Sequence, residues 1–566
     1  MKKYILTIST IIGIANHNDA QNLAYAILDI NQATTTLNSN GGLFANNTTG
    51  ALFEIPAGGG RHTIYAGAVW IGGLDTTGGL HVAGQTYRQT GIDFFAGPVM
   101  DSLNYSPAMD AQWDQVWKIN KTSIDSFLLN NQTPIPGYVI PSAINNWPGN
   151  GDLLLGQAAQ LAPYIDTDAD GVYNPSAGDY PCIKGDQALF AIFNDDRGVH
   201  TESDGAKFTF EFHVMMYAYS APGTWLDSIV FINYKLYNRS ALKYSDLYWG
   251  NWTDYDLGYA FDDYIGCDVD RHIGYVTNAD SADGSSATPG PTTYGINPPA
   301  QGMIMLRGPE SPLNDGVDNN RNWTVDEANE VCRMSHFMSY TNDFSVNGNP
   351  EAPIDYYNYL QAKWKDSSAV TYGGTGYGGT IPSEVIFPGN TDLNSWCTNS
   401  VPQAPWDEYS SNNDPGDRRG IVSSGPFELI SGQEMCIDVA LVYGRGTNGP
   451  LSSISAMQNS ADSVNMFYLQ NNPCTCDANP LGVNSTESET ISIYPNPARE
   501  SINIICGENS VGSTVEVIVM YGKVVVQTTV LSGNSVTINT TNLTSGVYFV
   551  RVNNGSVVLT SKFVRQ

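Results

Sequence analysis

Charge is scarce in this 566-residue chain, and basic charge is scarcer still. Only 14% of residues are charged, and 26 Lys plus Arg stand against 56 Asp plus Glu, a formal net charge of -30. A surface of that sign repels phosphate backbones, which excludes nucleic acid as a partner. Beyond the first twenty residues no apolar run approaches the roughly 18 residues that a membrane-spanning helix requires. Internal repeats at solenoid or propeller period are missing as well. Helical periodicity is confined to Ser453 to Leu469, where Ile454, Met457, Ala461, Val464 and Phe467 recur at spacings of three and four and define one apolar stripe.

Cysteine is sparse and scattered. The eight, at 182, 267, 332, 397, 436, 474, 476 and 506, are too dispersed for a dense disulfide framework, and Cys474-Thr-Cys476 lacks the two-residue spacing of redox or zinc pairs. If the C-terminal segment is removed, Cys506 leaves with it and the odd remainder keeps at least one thiol free or bonded elsewhere. Catalytic signatures are equally poor. There is no G-x-S-x-G, H-E-x-x-H or G-K-[ST] loop. Gly374-Thr-Gly-Tyr-Gly-Gly379 has the letters of a dinucleotide loop, but Pro382 and the lack of a following helical pattern remove the phosphate-cradling context. The histidines are isolated, and His200 with Glu202 and Asp204 is the one group that folding would turn into a metal or acid–base site. Glycoside hydrolysis needs two carboxylates at a set separation, which spacing in sequence does not reveal.

What the chain has in abundance is Gly, Asn, Ser, Thr and Tyr, a mixture that favours β-sheet with long loops. Arg61 to Gly72 and His81 to Arg88 read as paired strands joined by a Gly and Asp turn. In Phe208 to Tyr219, Phe208, Phe210, Phe212, Val214, Met216 and Ala218 share one face, and Thr209, Glu211, His213, Met215, Tyr217 and Tyr219 share the other. Ile229 to Tyr237 and Leu247 to Trp252 continue as neighbours, which predicts an antiparallel sheet with one well buried face. The fold class is therefore mainly β, an antiparallel β-sandwich-type body with long loops and little helix. Aromatic clusters such as Tyr356-Tyr-Asn-Tyr359 and Tyr248-Trp-Gly-Asn-Trp252 fill core positions on strands or stack on sugars if exposed.

Three acidic groups suggest cations. In Asp166-Thr-Asp-Ala-Asp-Gly-Val-Tyr-Asn-Pro-Ser-Ala-Gly-Asp179, hard oxygen ligands at alternate positions are followed at once by a Gly that permits a sharp turn, as a calcium loop requires. Asp166, Asp168 and Asp170 are the expected direct ligands, the Val172 carbonyl a fourth, and Asn174 or Asp179 completes the shell. Ala177 stands where a helix–loop–helix sensor has its Glu, and Pro175 prevents a regular exiting helix, so the pattern is nearer to dockerin-like or thrombospondin-like calcium loops. A second loop repeats the spacing with Asp318, Asn320 and Asn322, the Thr324 carbonyl, and Asp326 followed by Glu327 or Glu330, although Trp323 takes the place of the expected Gly. The third group, Asp254, Asp256, Asp262, Asp263, Asp268 and Asp270, lies on strand ends and turns.

The two ends of the chain read as addresses. Residues 1 to 20 have a basic start, a short apolar core and a small residue before Gln21, which describes a secretory signal peptide read by the inner-membrane export machinery. Residues 484 to 566 hold five basic and five acidic residues and residues 1 to 20 two Lys and one Asp, so the body from 21 to 483 carries -31 while the tail is neutral. The polar, turn-rich segment 471 to 489 between them reads as a linker. The tail contains Tyr494-Pro495-Asn496-Pro497-Ala498, then Gly546-Val-Tyr548-Phe-Val-Arg-Val552, then Lys562-Phe-Val-Arg565, among short β-rich runs from Ser501 to Cys506, Thr514 to Met520, Val524 to Val530, Ser535 to Asn539, Gly546 to Val552 and Ser556 to Val564. These motifs, in this order, resemble the type A C-terminal sorting domain of the Bacteroidetes type IX secretion system.

That resemblance implies a small C-terminal β-sandwich over 490 to 566, the type IX secretion machinery as a partner, and a secreted or cell-surface destination. Within the body, Trp70-Ile-Gly-Gly73, Gln85-Thr-Tyr-Arg88, Asp166 to Asp179, Lys184-Gly-Asp-Gln187, Pro415 to Arg419 and Ser423-Ser-Gly-Pro-Phe427 resemble phrases in other secreted proteins that end in the same domain, and Asp101-Ser-Leu103, Asp227-Ser-Ile229 and Asp280-Ser-Ala282 resemble O-glycosylation acceptors of that phylum. With a β-rich first part over 21 to 150 and a main part over 151 to 470, the expectation is a calcium-stabilised body of structural or adhesive role. The alternatives are a secreted hydrolase acting on carbohydrate and a carbohydrate-binding protein, either of which would make extracellular glycans a partner.

Overall fold

The computed structural model describes residues 23–45, 53–86, 91–284, 290, 292–312, 316–321, 325, 330–471, 491–505, 511–519, 523–531, 535–553 and 558–565. The expected signal peptide and the linker from 472 onward lie outside the described residues.

Two large antiparallel sheets make the body. The front sheet runs Tyr25–Leu28, Thr34–Asn38, Phe53–Glu54, His62–Asp75, Tyr244–Tyr255, Arg418–Leu429 and His336–Thr341, with Leu80–Ala83 also paired to His62–Asp75. The rear sheet runs Asp263–Asp268, Ile273–Asn278, Ala300–Arg307, Glu434–Gly444, Val230–Asn238, Phe210–Ala218, Gln187–Asn194 and Phe95–Ala96, with Trp117–Asn120 also on Gln187–Asn194. Strands from before and after residue 150 thus share both sheets. Inward side chains of the two sheets meet in one core, where the Trp249 ring of the front lies 5.1 Å from Tyr234 and 6.3 Å from Phe212 of the rear.

The alternation read in Phe208 to Tyr219 is borne out in register but not in exposure. Phe210, Phe212, Val214, Met216 and Ala218 enter the inter-sheet core, while Met215 and Tyr217 enter a second core on the other side, and every residue of Phe210–Ala218 is buried. The expectation of one buried face is corrected because helices cover the second. Met457, Ala461 and Val464 of helix Gly449–Asn471 and Ile124 and Phe127 of helix Lys121–Gln132 pack there. The outer face of the front sheet is covered too, by helix Pro353–Leu360, whose Tyr356 ring lies 4.6 Å from Trp70 and whose Tyr359 lies 5.2 Å from Tyr340. Gly250 permits that approach, since a Cβ there would meet Leu360 Cδ2 at 2.4 Å and Ile421 Cγ2 at 2.9 Å. The Tyr356 to Tyr359 and Tyr248 to Trp252 clusters are therefore mostly interior.

Cys182 and Cys436 are disulfide-bonded, whereas Cys267, Cys332 and Cys397 are buried free thiols. The tail is a separate small sandwich of a sheet Ser492–Tyr494, Ser501–Ile505, Ser535–Asn539 and a sheet Val524–Thr529, Thr514–Val519, Gly546–Asn553, Val558–Arg565. Its own core gathers Ile502, Ile504, Val515, Val517, Tyr548, Val550 and Phe563. Among the described residues no helix is long and apolar enough to cross a membrane.

Candidate metal centre

The loop from Asp166 to Asp179 is pinched at its neck, where Tyr164–Ile165 pairs with Tyr180–Pro181. Left-handed backbone at Ala169 (φ 60) and Gly171 (φ 79) then turns the chain back on itself, which is why a residue without Cβ is needed at 171. Asp179, fully buried, holds the loop together, with Oδ1 accepting from the Thr167 N–H at 2.7 Å and Oδ2 from the Asn174 N–H at 2.9 Å. Asp166 Oδ2 accepts from the Gly171 N–H at 2.8 Å, and Asp166 Oδ1, also shielded from water, has no hydrogen-bond donor among the described residues.

One carboxylate oxygen from each of Asp166, Asp168 and Asp179 lies within 4.8 Å of the others. Two ligands held about 2.3–2.6 Å from a shared calcium ion can be no farther apart than about 5 Å, so this spread fits a common ion. Partial desolvation, together with the like charges of Asp170, Asp179 and Asp166, raises the Asp168 carboxyl above its ordinary value. Three carboxylates converging with no basic partner among the described residues favour a bound cation or a bound proton.

Two residues expected as ligands each have one oxygen engaged within the loop. Asp170 Oδ1 accepts from the Val172 N–H at 2.7 Å, and Asn174 Oδ1 caps the short helix Pro175–Ala177 by accepting from the Ser176 N–H at 3.0 Å. Val172 stands at the loop surface with its side chain 57% exposed. A residue that spacing did not reveal is Asn150. Its Oδ1 accepts from the Tyr173 N–H at 2.6 Å while its Nδ2 donates to the Gly171 carbonyl at 3.1 Å, suturing the loop to the bridge between Asn150 and Gln160.

In the second loop Asp318 and Asn320 are described, and Asn322, Thr324 and Asp326 lie outside the described residues. The Asn320 N–H donates to Oε1 of buried Glu330 at 3.0 Å. The third acidic group is dispersed by folding. Asp254 and Asp256 come together with Asp417, oxygens again within 4.8 Å, but Arg419, 1% exposed, crosses the cluster with Nε 2.9 Å from Asp254 and Nη1 2.7 Å from Asp417. Burial, then the charges of Asp254 and Asp417, pushes Asp256 up to about 8. Asp263 accepts from the Leu257 N–H, Asp262 from the Gly284 N–H, and Asp268 from Arg271 and Gln458. Asp270 is elsewhere, pushed up to about 7 by burial and by Asp268.

His200, Glu202 and Asp204 do not form a site. Both ring nitrogens of buried His200 face backbone carbonyls, Val82 at 2.7 Å and Asp195 at 2.9 Å, Glu202 turns to Thr86, and Asp204 is exposed. The run Gly374 to Gly379 opens no helix; it lies in a turn closed by a bridge between Thr371 and Pro382. In the tail, Tyr494, Pro495, Asn496, Pro497, Gly546 and Lys562 are exposed, whereas Tyr548 is buried, its hydroxyl donating to the Thr544 carbonyl at 2.9 Å and its ring stacked 5.5 Å from Phe563.

Residues 492–566 match the secretion system C-terminal sorting domain family. No match is found among curated proteins. Among solved structures, a polysaccharide lyase aligns at 9% identity over 72% of this chain and 37% of its own, with a TM-score of 0.19, so the chain spans little more than a third of that protein. PorZ, a surface component of the type IX secretion system of Porphyromonas gingivalis, aligns at 10% identity over 96% of this chain and 75% of its own, with a TM-score of 0.13.

Proposed function

We propose that this chain, a type IX secretion substrate delivered across the outer membrane to the cell surface or beyond, carries a calcium-stabilised β body with a structural or adhesive role. The observation that carries the calcium reading is the convergence of Asp166, Asp168 and Asp179 with a shielded, undonated oxygen on Asp166. Calcium joins the two limbs of a loop whose carboxylates otherwise meet backbone donors, with the Asn150 amide and the Thr167 hydroxyl as further ties. The structural reading is supported by how the candidate chemistry is used: His200 is consumed by backbone carbonyls and the aromatic clusters by the cores. Limited proteolysis of the purified full chain tests this. Cleavage within 166–179 is expected to be slow in millimolar calcium and rapid in chelator, and equal rates in both would reject the ion.

A second reading, a hydrolase acting on carbohydrate, is supported by the half-buried Asp256, raised to about 8, beside Asp254, whose carboxylate is paired with Arg419. Environments that split two neighbouring carboxylates suit an acid and a base. Activity on a glycan panel that disappears in Asp256→Asn would favour this reading over the structural one.

A further inference from the structure

Between the rear strands Gln187–Asn194 and Phe210–Ala218 the chain leaves its own sheet, and residues 195–209 cross to the front strand Leu80–Ala83. The crossing is close. Ala206 forms a parallel bridge with His81, the Val82 N–H donates to the Ala206 carbonyl at 3.2 Å, and a Cβ on Gly205 would meet the Val82 carbonyl oxygen at 2.3 Å. Two buried carboxylates shape the loop. Asp93 Oδ1 accepts from the Glu202 N–H at 3.0 Å and its Oδ2 from the Ser203 hydroxyl at 2.6 Å, while Asp195 accepts from the Phe208 and Phe210 N–H groups at 2.6 Å each.

A histidine stands on each side of this crossing, and each meets acceptors on both ring nitrogens. Buried His200 has the Val82 carbonyl 2.7 Å from Nδ1 and the Asp195 carbonyl 2.9 Å from Nε2, with Asp93 Oδ2 at 3.9 Å and Asp195 Oδ2 at 3.6 Å as the next oxygens. His81 has the Lys207 carbonyl 2.7 Å from Nδ1 and Asp75 Oδ2 3.3 Å from Nε2. Hydrogen bonds from the Thr77 hydroxyl and from backbone N–H groups hold Asp75 well below the usual carboxylate range, so it accepts and does not donate. A neutral imidazole carries one N–H and one lone pair, and at either position its second nitrogen would turn that lone pair onto an oxygen. Only the doubly protonated ring satisfies both contacts.

The charged groups around the rings suit this state. Asp75 faces His81, Asp93 and Asp195 face His200, and Lys207 turns its ammonium away to Asp196 at 2.8 Å. Burial pushes the Asp195 carboxyl up and the charge of His200 opposes it, while burial brings Glu202, beside Asp93, up to about 8. Tyr244, its ring 5.1 Å from His81 and its hydroxyl donating to the Phe208 carbonyl, is raised by burial to about 12 and keeps its proton. We propose that His81 and His200 form a proton latch, both rings doubly protonated while the loop 195–209 is docked on the front strand, and that loss of a proton from either ring releases the loop. Histidine changes charge between about pH 5 and pH 8, so the latch is shut in mildly acidic surroundings and opens in alkaline ones.

Native-state hydrogen exchange of the purified full chain tests this, read by mass spectrometry as the protection of residues 195–209 once the intrinsic pH dependence of exchange is divided out. Between pH 6 and pH 9 that protection is expected to fall about tenfold more than the protection of strand Val230–Asn238, which follows the body as a whole; tenfold is the scale of one lost charge-assisted hydrogen bond. His81→Gln and His200→Gln are each expected to bring the loop at pH 6 down to its wild-type protection at pH 9. Glu202→Gln removes the other group that releases a proton over this range, and the excess fall is expected to persist in it. An excess that disappears in Glu202→Gln overturns the proposal, as does an equal fall of loop and strand in the wild type. Should a histidine variant fail to fold, the 15N shifts of the histidine rings in the labelled wild-type chain decide. Two protonated nitrogens on both rings at pH 6 bear the latch out, and a neutral ring at either position overturns it.

Discussion

Glu202 shows what a single buried carboxylate does to this fold. Burial pushes it up to about 8, against the lowering effect of its Thr86 hydrogen bonds at 2.9 and 2.6 Å. The folded state therefore holds a proton that the unfolded state has released between the ordinary Glu value and about pH 8, so this contribution to stability is lost as pH rises through that window. Glu202→Gln is expected to flatten the loss and to raise stability at pH 8 by on the order of 1 kcal/mol, measured by urea unfolding at pH 5 and pH 8. In the loop from Asp166 to Asp179, Asp179→Ala strands two backbone donors and is expected to cost about 1–3 kcal/mol even in chelator. Asp168→Ala is expected to cost little without calcium. Sequence spacing nominated Asp166, Asp168 and Asp179 together but ranked Asp179 last, because spacing does not tell which carboxylate the fold buries. Asn150 and Arg419 were illegible for a related reason: each acts on residues brought to it only by folding.

Among the elements, helix Gly449–Asn471 was the most readable. Its stripe of Met457, Ala461 and Val464 faces the rear sheet, and Arg271 ties the polar side through Asp462 at 2.8 and 3.1 Å. Met457→Ala opens a cavity against Gly302 and is expected to destabilise the body by about 2–5 kcal/mol, checked by the shift in urea midpoint at unchanged slope. Helix Lys121–Gln132 was not legible, because its buried stripe is only Ile124 and Phe127 among polar neighbours. Helix Pro353–Leu360 was not read from the sequence, where Tyr356 to Tyr359 stayed open between exposed loop and strand, although Pro at its first turn is a start signal. The tail's strands were read nearly to their ends, since Gly and Asn turns punctuate them. The short strand Ser492–Tyr494 was missed because its pairing to Ser501–Ile505 is not marked by a turn signal of that kind.

Taken whole, the molecule is an acidic sandwich with several carboxylates above their ordinary range, all chiefly through burial: Asp256 and Glu202 at about 8, Asp270 at about 7 and Asp262 at about 6. Each holds its proton longer when folded, so the body is expected to lose stability as pH rises from about 5 to 8, an effect visible as a falling melting temperature. The sandwich itself was legible from alternation and turns, whereas the covering layers were not, because helices packed on both outer faces turn half-exposed strands into fully buried ones. The address at the C-terminus was legible because its motifs are local. The use of the body rests on contacts between distant segments.

Calcium stabilisation is read most directly from the melting temperature of the purified full chain in millimolar calcium and in chelator, for the wild type and for Asp168→Ala. A calcium-dependent rise in the wild type that vanishes in the variant is the predicted result. The same melting temperature in calcium and in chelator for the wild type would contradict the calcium-stabilised body.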